Sequence, residues 1–258
     1  HSATRGACMQ VCRRSYTVRD KETDVELDID NEYIMSPKDL KTIHFMNKMM
    51  DAGVRVFKIE GRADVEKLTS LPVVGDIPLA DEKTGSIAVF ENQNNLMSET
   101  FRNVRTNLQF MLENGKNVIL VTSTISGEGK SFISANLAIS LSLLGKKVVI
   151  VGLDIRKPGL NKVFNIPKKE HGITQYLTNT TANLMDFVQP SDINKNLFIL
   201  PGGTVPPNPT ELLARRGLEK AIETLKANFD YVILDTAPVG MVTDTLLIGR
   251  VADLSVYV

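Results

Sequence analysis

The sequence predicts an α/β protein: a mostly parallel sheet with helices on both faces, preceded by a short, incomplete α+β segment. Three observations predict it. Beyond residue 64, strand-sized apolar runs alternate with helical patterns, the order that builds a parallel sheet covered on both sides. One such run, "NVILV", passes straight into a glycine-rich loop that opens a helix. Upstream of residue 55 the character differs, with both cysteines and five of the nine methionines in that short stretch.

Taken in order, Val25, Leu27 and Ile29 alternate after a "DKET" turn and predict a short strand with one wet face. Ser36-Pro37 opens a helix whose Leu40, Ile43, Met46 and Met50 form a core stripe, ending near Gly53, and "VRVFKIEG" reads as a second strand. "ADVEKLTS" gives a helical turn or two, and the Pro/Gly-punctuated "LPVVGDIPLADEKTGS" reads as loop. Residues 96–112 predict an amphipathic helix with Phe101, Val104, Leu108, Met111 and Leu112 on its apolar face. There follow strand 118–121, helix 131–144 closed by Gly145, strands 148–152 and 197–200, helix 210–227, strand 231–234 and a last strand at 254–258. "PPNPTELL" marks a helix start, with Asn208 as N-cap, Pro209 at the first position and Glu211 as capping-box partner. The division expected is a segment 1–63, poorly ordered or loosely docked, a linker 64–95 and a domain 96–258.

Thirty basic and thirty acidic side chains cancel, which argues against nucleic acid as the main partner. Cys8 and Cys12 are too few for a disulfide framework, so a reducing, cytosolic setting is expected. No apolar run approaches the ~20 residues that cross a bilayer, and no signal peptide is expected among these residues. His1 and the closing "ADLSVYV" give the expectation that both ends are cut.

The chemistry concentrates in "NVILVTSTISGEGKSFISANLAISLSLLG". Ser126, Gly127, Glu128, Gly129, Lys130, Ser131 and Phe132 lie between strand and helix as a polyphosphate cradle requires. Glycines let backbone amides face the phosphates, and the helix N-terminus adds unpaired N–H groups and partial positive charge. Lys130 would reach the β/γ-phosphates of ATP and the Ser131 hydroxyl would ligate Mg²⁺. Thr124 stands where the G-x-x-x-x-G-K-[ST] pattern has its first glycine. Asp235, closing "YVILD", and Asp154, just past "VVIVGL", are the carboxylates expected to help hold Mg²⁺, with Arg156 two residues on. For either aspartate alone, a cap or turn role reads equally well. Asp244 is a weaker candidate of the same kind, with a cap for the following helix as the other reading. The fold expected is therefore of the P-loop NTPase type. The partitioning ATPases of that class place a second lysine where this chain has Ile125, which lowers that reading.

From about Asp64 onward the chain resembles the bacterial tyrosine autokinases of the capsule and exopolysaccharide export type. "SETFRNVRTNLQF", "TSTISGEGKS", "VVIVGLDIRKPGL", "GGTVPPNPTELL" and "DYVILDTAPVG" carry the resemblance, in order. It implies ATP·Mg²⁺ as donor, tyrosine hydroxyls as acceptors, and a ring-shaped homo-oligomer whose subunits phosphorylate one another's C-terminal tails. It also implies a cytoplasmic domain attached to the inner membrane through segments absent here, with a membrane-anchored polysaccharide export machinery as partner. Carried over by position, Lys130 and Ser131 take Walker A roles, Asp154 and Arg156 belong to the additional A′ motif, and Asp235 is the Walker B aspartate. Catalytic roles are expected for Lys130, Asp154, Arg156 and Asp235, metal-holding roles for Ser131, Asp154 and Asp235. Gly152 stands where the pattern usually has an aspartate, and Asp154 is the choice for general base. Glu99, Arg102 and Arg105 match an E-x-x-R-x-x-R oligomerisation motif; an exposed ion pair at i,i+3 spacing is the other reading. "PPNPTELL" is expected to border the nucleotide. Tyr176 and Tyr231 read as structural, and the family's C-terminal tyrosine cluster is not in this sequence.

The first sixty-odd residues resemble an internal piece of the collagenase-like peptidases, some of which act in RNA hydroxylation. "RGACMQVCRRSYTV", "DNEYIMSPKDL" and "DAGVRVFKIEGRA" carry it. There Cys8 and Cys12 would match two members of a larger metal- or cluster-binding set, here incomplete, and two free thiols are expected. "KIEGR" fits both families, so the chain reads as a chimera joined near that string. A partner-regulated P-loop ATPase and a peptidase or RNA-modification fragment are the alternative functions.

Overall fold

The computed structural model describes residues 16–19, 26–29, 56–57, 71–78, 85–91, 95–112, 115–166, 171–179 and 181–258. The expected helix from Ser36 to Gly53, the helical turns after Asp64, and Cys8 and Cys12 lie outside them. The chain divides into two compact units, His1–Met46 and Asn47–Val258. In the first, β1 (Tyr16–Arg19) and β2 (Glu26–Ile29) pair antiparallel, with Val18 opposite Leu27. The "DKET" turn expected between them lies outside the described residues.

The second unit holds a seven-stranded sheet. Its strands are β3 (Val56–Phe57), β4 (Val118–Thr122), β5 (Val148–Gly152), β6 (Gln189–Pro190), β7 (Leu197–Leu200), β8 (Tyr231–Asp235) and β9 (Leu254–Tyr257), in the spatial order β3-β9-β4-β8-β5-β7-β6. Every pairing is parallel except that of the edge strand β6. β8 lies between β4 and β5, so the connection from β4 to β5 crosses it. That discontinuity opens a crevice at the carboxyl ends of the strands, where ligands of open α/β sheets bind.

The strands alternate their side chains between two cores, one on each face. Ile119, Val121, Val148, Ile150 and Ile233 face one, with α1 (Leu96–Met111) and α2 (Lys130–Ser142) packed over them. Val118, Leu120, Val149, Val151, Val232 and Leu234 face the other. That second core is covered by α3 to α7 in part: of the elements α3 (Leu160–Val163), α4 (Ile173–Thr178), α5 (Pro209–Leu213), α6 (Gly217–Asn228) and α7 (Asp244–Gly249), all but α3 contribute buried residues to it. Both faces are thus buried, which is why β4, β5 and β8 read as continuous apolar runs.

Three expectations change. The expected linker is part of the fold: Val74, Ala88 and Val89 are buried in the first core. Buried Asn136 on α2 holds this segment, its Oδ1 accepting from the amides of Ala88 (2.7 Å) and Val89 (3.1 Å) and its Nδ2 donating to Ser86 O (3.2 Å). The single helix expected over 210–227 is two, α5 and α6, separated at 214–216. Gly217 is a poor helix former, and Arg250 Nη2 donates to the carbonyls of Leu213 (2.9 Å) and Arg215 (3.2 Å) at the break. Asn208 does hold the N-cap position of α5, with Pro209 following, but its side chain makes no capping bond.

Candidate functional site

The loop after β4 is shaped by two left-handed glycines, Gly127 (φ 97°) and Gly129 (φ 94°), the second at the N-cap of α2. A β-carbon at either would meet backbone strain, and both are free of neighbouring atoms on that side. The amides that open α2 have no intrahelical acceptor and stand at the loop. Glu128 serves the loop itself, its Oε2 accepting from Ile125 N at 2.8 Å. Phe132 is turned away, its ring edge-on to Phe101 at 6.0 Å, so only its main chain remains for a phosphate.

Register carries Asp235 to the same place. It ends β8, opposite Val121 on β4 and Gly152 on β5, and is 1% exposed. Ser131 Oγ donates to its Oδ2 at 2.8 Å. Ser134, one helical turn further along α2, lies 3.1 Å from its Oδ1 and 2.9 Å from Lys130 O. Burial pushes the Asp235 carboxyl up to about 6, against the opposing pull of the two serine hydroxyls and of Lys130. Lys130 itself is buried. The Asp235 carboxylate and the Ser131 hydroxyl beside it are the oxygen donors a cation would use, with phosphate oxygens to complete its shell. Among the described residues no group of three or more His, Cys, Asp or Glu could hold a metal ion by itself.

Asp154 hangs from the same strand end: its amide and that of Leu153 donate to Asp235 O at 3.0 and 2.8 Å. Its Oδ1 accepts from Lys157 N at 3.0 Å, which leaves Oδ2 for chemistry. Gly159, in the turn that follows, comes so near Ser131 that an added β-carbon would lie 3.0 Å from its Oγ. A β-carbon on Gly152 would lie 3.0 Å from Gly202 N, a tight fit for the aspartate expected there. The segment after β8 laces onto the phosphate loop through Val239 N to Ser123 O (2.8 Å) and Gly240 N to Thr124 O (3.1 Å).

Three expected roles meet an arrangement the sequence did not show. Arg156 does not offer an open fork: Nε donates to Asp244 Oδ2 at 2.6 Å, and Nη2 to Asp244 Oδ1 at 3.0 Å and Thr210 Oγ1 at 2.8 Å. Asp244 therefore is an ion-pair partner, and Thr243 holds the N-cap position of α7. Burial raises the Asp244 carboxyl, but hydrogen bonds from Arg156 and Thr210 outweigh it and hold the group below its ordinary range. On α1, exposed Glu99 and half-buried Arg102 pair with each other, whereas Arg105 turns inward and donates from Nη1 to Ser140 O at 2.8 Å. The three do not share one outward face. Ser134, Thr210 and Gly240 escaped the sequence reading; only Ser134, three residues after Ser131 on the same helix face, left a signal there.

Residues 116–254, more than half of the chain, match the AAA domain, and residues 1–72 match peptidase family U32. The tyrosine-protein kinase CpsD of Streptococcus agalactiae is 38% identical over 155 residues, 60% of this chain and 66% of that protein. The tyrosine-protein kinase YwqD of Bacillus subtilis is 37% identical over 164 residues, 63% of this chain and 68% of that one. The chain belongs to the bacterial tyrosine-protein kinases. The kinase domain of the Escherichia coli tyrosine kinase ETK superposes with a TM-score of 0.68 at 27% identity, covering 78% of this chain and 82% of that one. The AAA match leaves out the beginning, which matches the peptidase family: a collagenase of Porphyromonas gingivalis is 81% identical over 62 residues, which are 24% of this chain and only 15% of that protein. A kinase-family segment thus follows a peptidase-family one, as the chimera reading expects.

Proposed function

We propose that the second unit is an ATP-dependent protein-tyrosine kinase domain that transfers the γ-phosphoryl group of ATP to tyrosine hydroxyls. The observation that carries it is the part-buried Ser131–Asp235 hydrogen bond (2.8 Å) beneath a loop of two left-handed glycines and Lys130, in a chain whose relatives are tyrosine kinases. The loop amides and Lys130 would receive the β- and γ-phosphates. Ser131, Asp235 and Asp154 would hold Mg²⁺, which supplies neutralisation of phosphate charge when bound. Asp154 Oδ2 is the proposed acceptor of the tyrosine proton. As the tyrosyl oxygen bonds to the γ-phosphorus, the bond to the ADP oxygen breaks, and Lys130 offsets the charge left on ADP.

Incubation with radiolabelled ATP and a tyrosine-rich tail peptide tests this. Phosphotyrosine should form and should disappear in Lys130→Met; transfer surviving that change would overturn the assignment. Gly152 favours a second reading, a partner-regulated P-loop ATPase, because it leaves one carboxylate fewer beside the phosphates. ATP hydrolysis without phosphotyrosine would select it. The peptidase-like segment covers 15% of its collagenase relative. Ring assembly through Glu99 and Arg102, and attachment to a membrane-anchored polysaccharide export machinery, belong to the same proposal. No helix among the described residues is long and apolar enough to cross a membrane.

A further inference from the structure

We propose that Arg156, Asp244 and Thr210 form a latch across three adjacent strand ends, and that Arg156 is a positioning residue for Asp154. The proposal rests on the kinase reading of the site. Arg156 follows β5, Thr210 lies in α5 after β7, and Asp244 opens α7 after β8; β8, β5 and β7 are neighbours in the sheet. The three side chains close a triangle, since Thr210 Oγ1 also donates to Asp244 Oδ1 at 2.8 Å. Both carboxylate oxygens of Asp244 are engaged, and its side chain is 1% exposed against 38% for Arg156.

An exposed ion pair would contribute little. This one differs, because removing the arginine strands a buried carboxylate. Arg156 also lies within electrostatic reach of Asp154 and Glu211, so its charge is already shared among three carboxylates. That surrounding disfavours a second role on phosphate oxygens. The segment 153–157 is then closed on itself by Asp154 Oδ1 on Lys157 N and pinned at two points: the amides of Leu153 and Asp154 on Asp235 O, and the Arg156 side chain on α5 and α7. With the latch closed, Asp154 Oδ2 has one direction to face. With it open, the loop pivots on its backbone bonds and the carboxylate wanders.

The test compares wild type with Arg156→Gln, Arg156→Lys, Asp244→Asn, Thr210→Val and the Arg156→Gln/Asp244→Asn double variant. Tyrosine-peptide phosphorylation gives kcat and the KM for ATP. Arg156→Gln and Asp244→Asn should each lower kcat by roughly tenfold with the KM for ATP nearly unchanged, and the double should be no worse than the worse single, as coupled residues behave. Arg156→Lys should not restore kcat, because the two-pronged contact is lost. Thr210→Val, which keeps the buried pair and is least prone to unfold, should lose a few-fold. A raised KM for ATP in Arg156→Gln alone, with multiplicative losses in the double, would show a direct phosphate contact and overturn the latch. If wild type makes no phosphotyrosine, the kinase reading fails separately. The latch is then read by amide hydrogen exchange, which in Asp244→Asn should quicken in 154–157 and 201–210 together; quickening near residue 244 alone would overturn it.

Discussion

Asp235 carries the sharpest residue-scale consequence. Its carboxyl titrates near 6 in the fold against an ordinary 3.8, because burial outweighs the serine hydroxyls and Lys130. A raised carboxyl favours the protonated fold, so its contribution to stability is complete below about 4 and is lost as pH rises through 6. Thermal unfolding of the nucleotide-free protein should therefore show a fall between pH 4 and 6.5 that Asp235→Asn flattens; parallel curves for the two would exclude Asp235 as the source. The same variant should make no phosphotyrosine at any pH. Gly240 gives a second prediction, which needs no titration. A β-carbon there would stand 2.6 Å from Thr124 O, closer than real contacts allow. Gly240→Ala must push the phosphate loop away, so ATP should bind at least about tenfold more weakly, at a stability cost of about 1–3 kcal/mol. Fluorescent-nucleotide titration beside urea unfolding separates the two effects.

Among the elements, α2 does more than present the phosphate loop. Arg105 donates to Ser140 O in the last turn of α2 and so ties α1 to that helix. Burial and the neighbouring Arg102 hold its guanidinium below the ordinary arginine value, as for a charge spent inside the fold. Arg105→Ala should then lower the thermal midpoint at every protein concentration, while Arg102→Ala should leave it unchanged and alter association alone, as sedimentation would detect. Equal effects from the two would restore a shared outward face. The motif spacing was legible in the sequence, but its division of labour was not: three-residue steps turn a helix by 300°, and across two such steps Arg105 rotates far enough from Glu99 to meet α2. The break between α5 and α6 escaped for a similar reason, since Arg250, a distant residue, takes the carbonyls there. Asn136 extends the argument to the segment 85–91. Asn136→Ala would leave the buried amides of Ala88 and Val89 without acceptors, a loss of about 2–5 kcal/mol. Urea unfolding measures it, and a loss under about 1 kcal/mol would mean that the segment is not held as described.

At the scale of the whole molecule, what could be read in advance was what neighbours in sequence decide. Strand, glycine loop and helix are contiguous from Val118 to Ser142, so Gly127, Gly129, Lys130 and Ser131 announced their chemistry. Asp235 could be placed because it ends an apolar run, and a parallel sheet brings such ends to one edge. Asp244 and Thr210 could not, because nothing local foretells a partner 88 or 54 residues from Arg156. The linker expectation changed in the same way: "LPVVGDIPLADEKTGS" has the composition of a loop, and its Val74, with Val89 just beyond it, enters the core only once α1 and α2 stand against the sheet. A final prediction follows for truncation. A chain starting at Asp64 loses the peptidase-like segment and, from the sheet, only the two-residue β3. A chain starting at Leu96 loses Val74, Ala88 and Val89 as well, and leaves Asn136 without its three partners in that segment. Burying each valine side chain contributes about 1.5–3 kcal/mol, so the two valines and the lost hydrogen bonds together approach the 5–15 kcal/mol that hold a typical domain together. The 64–258 chain should unfold cooperatively and bind nucleotide with the affinity of the full chain, whereas 96–258 should aggregate or melt at least about 10 °C lower. Equal midpoints for the two would make 64–95 a linker after all.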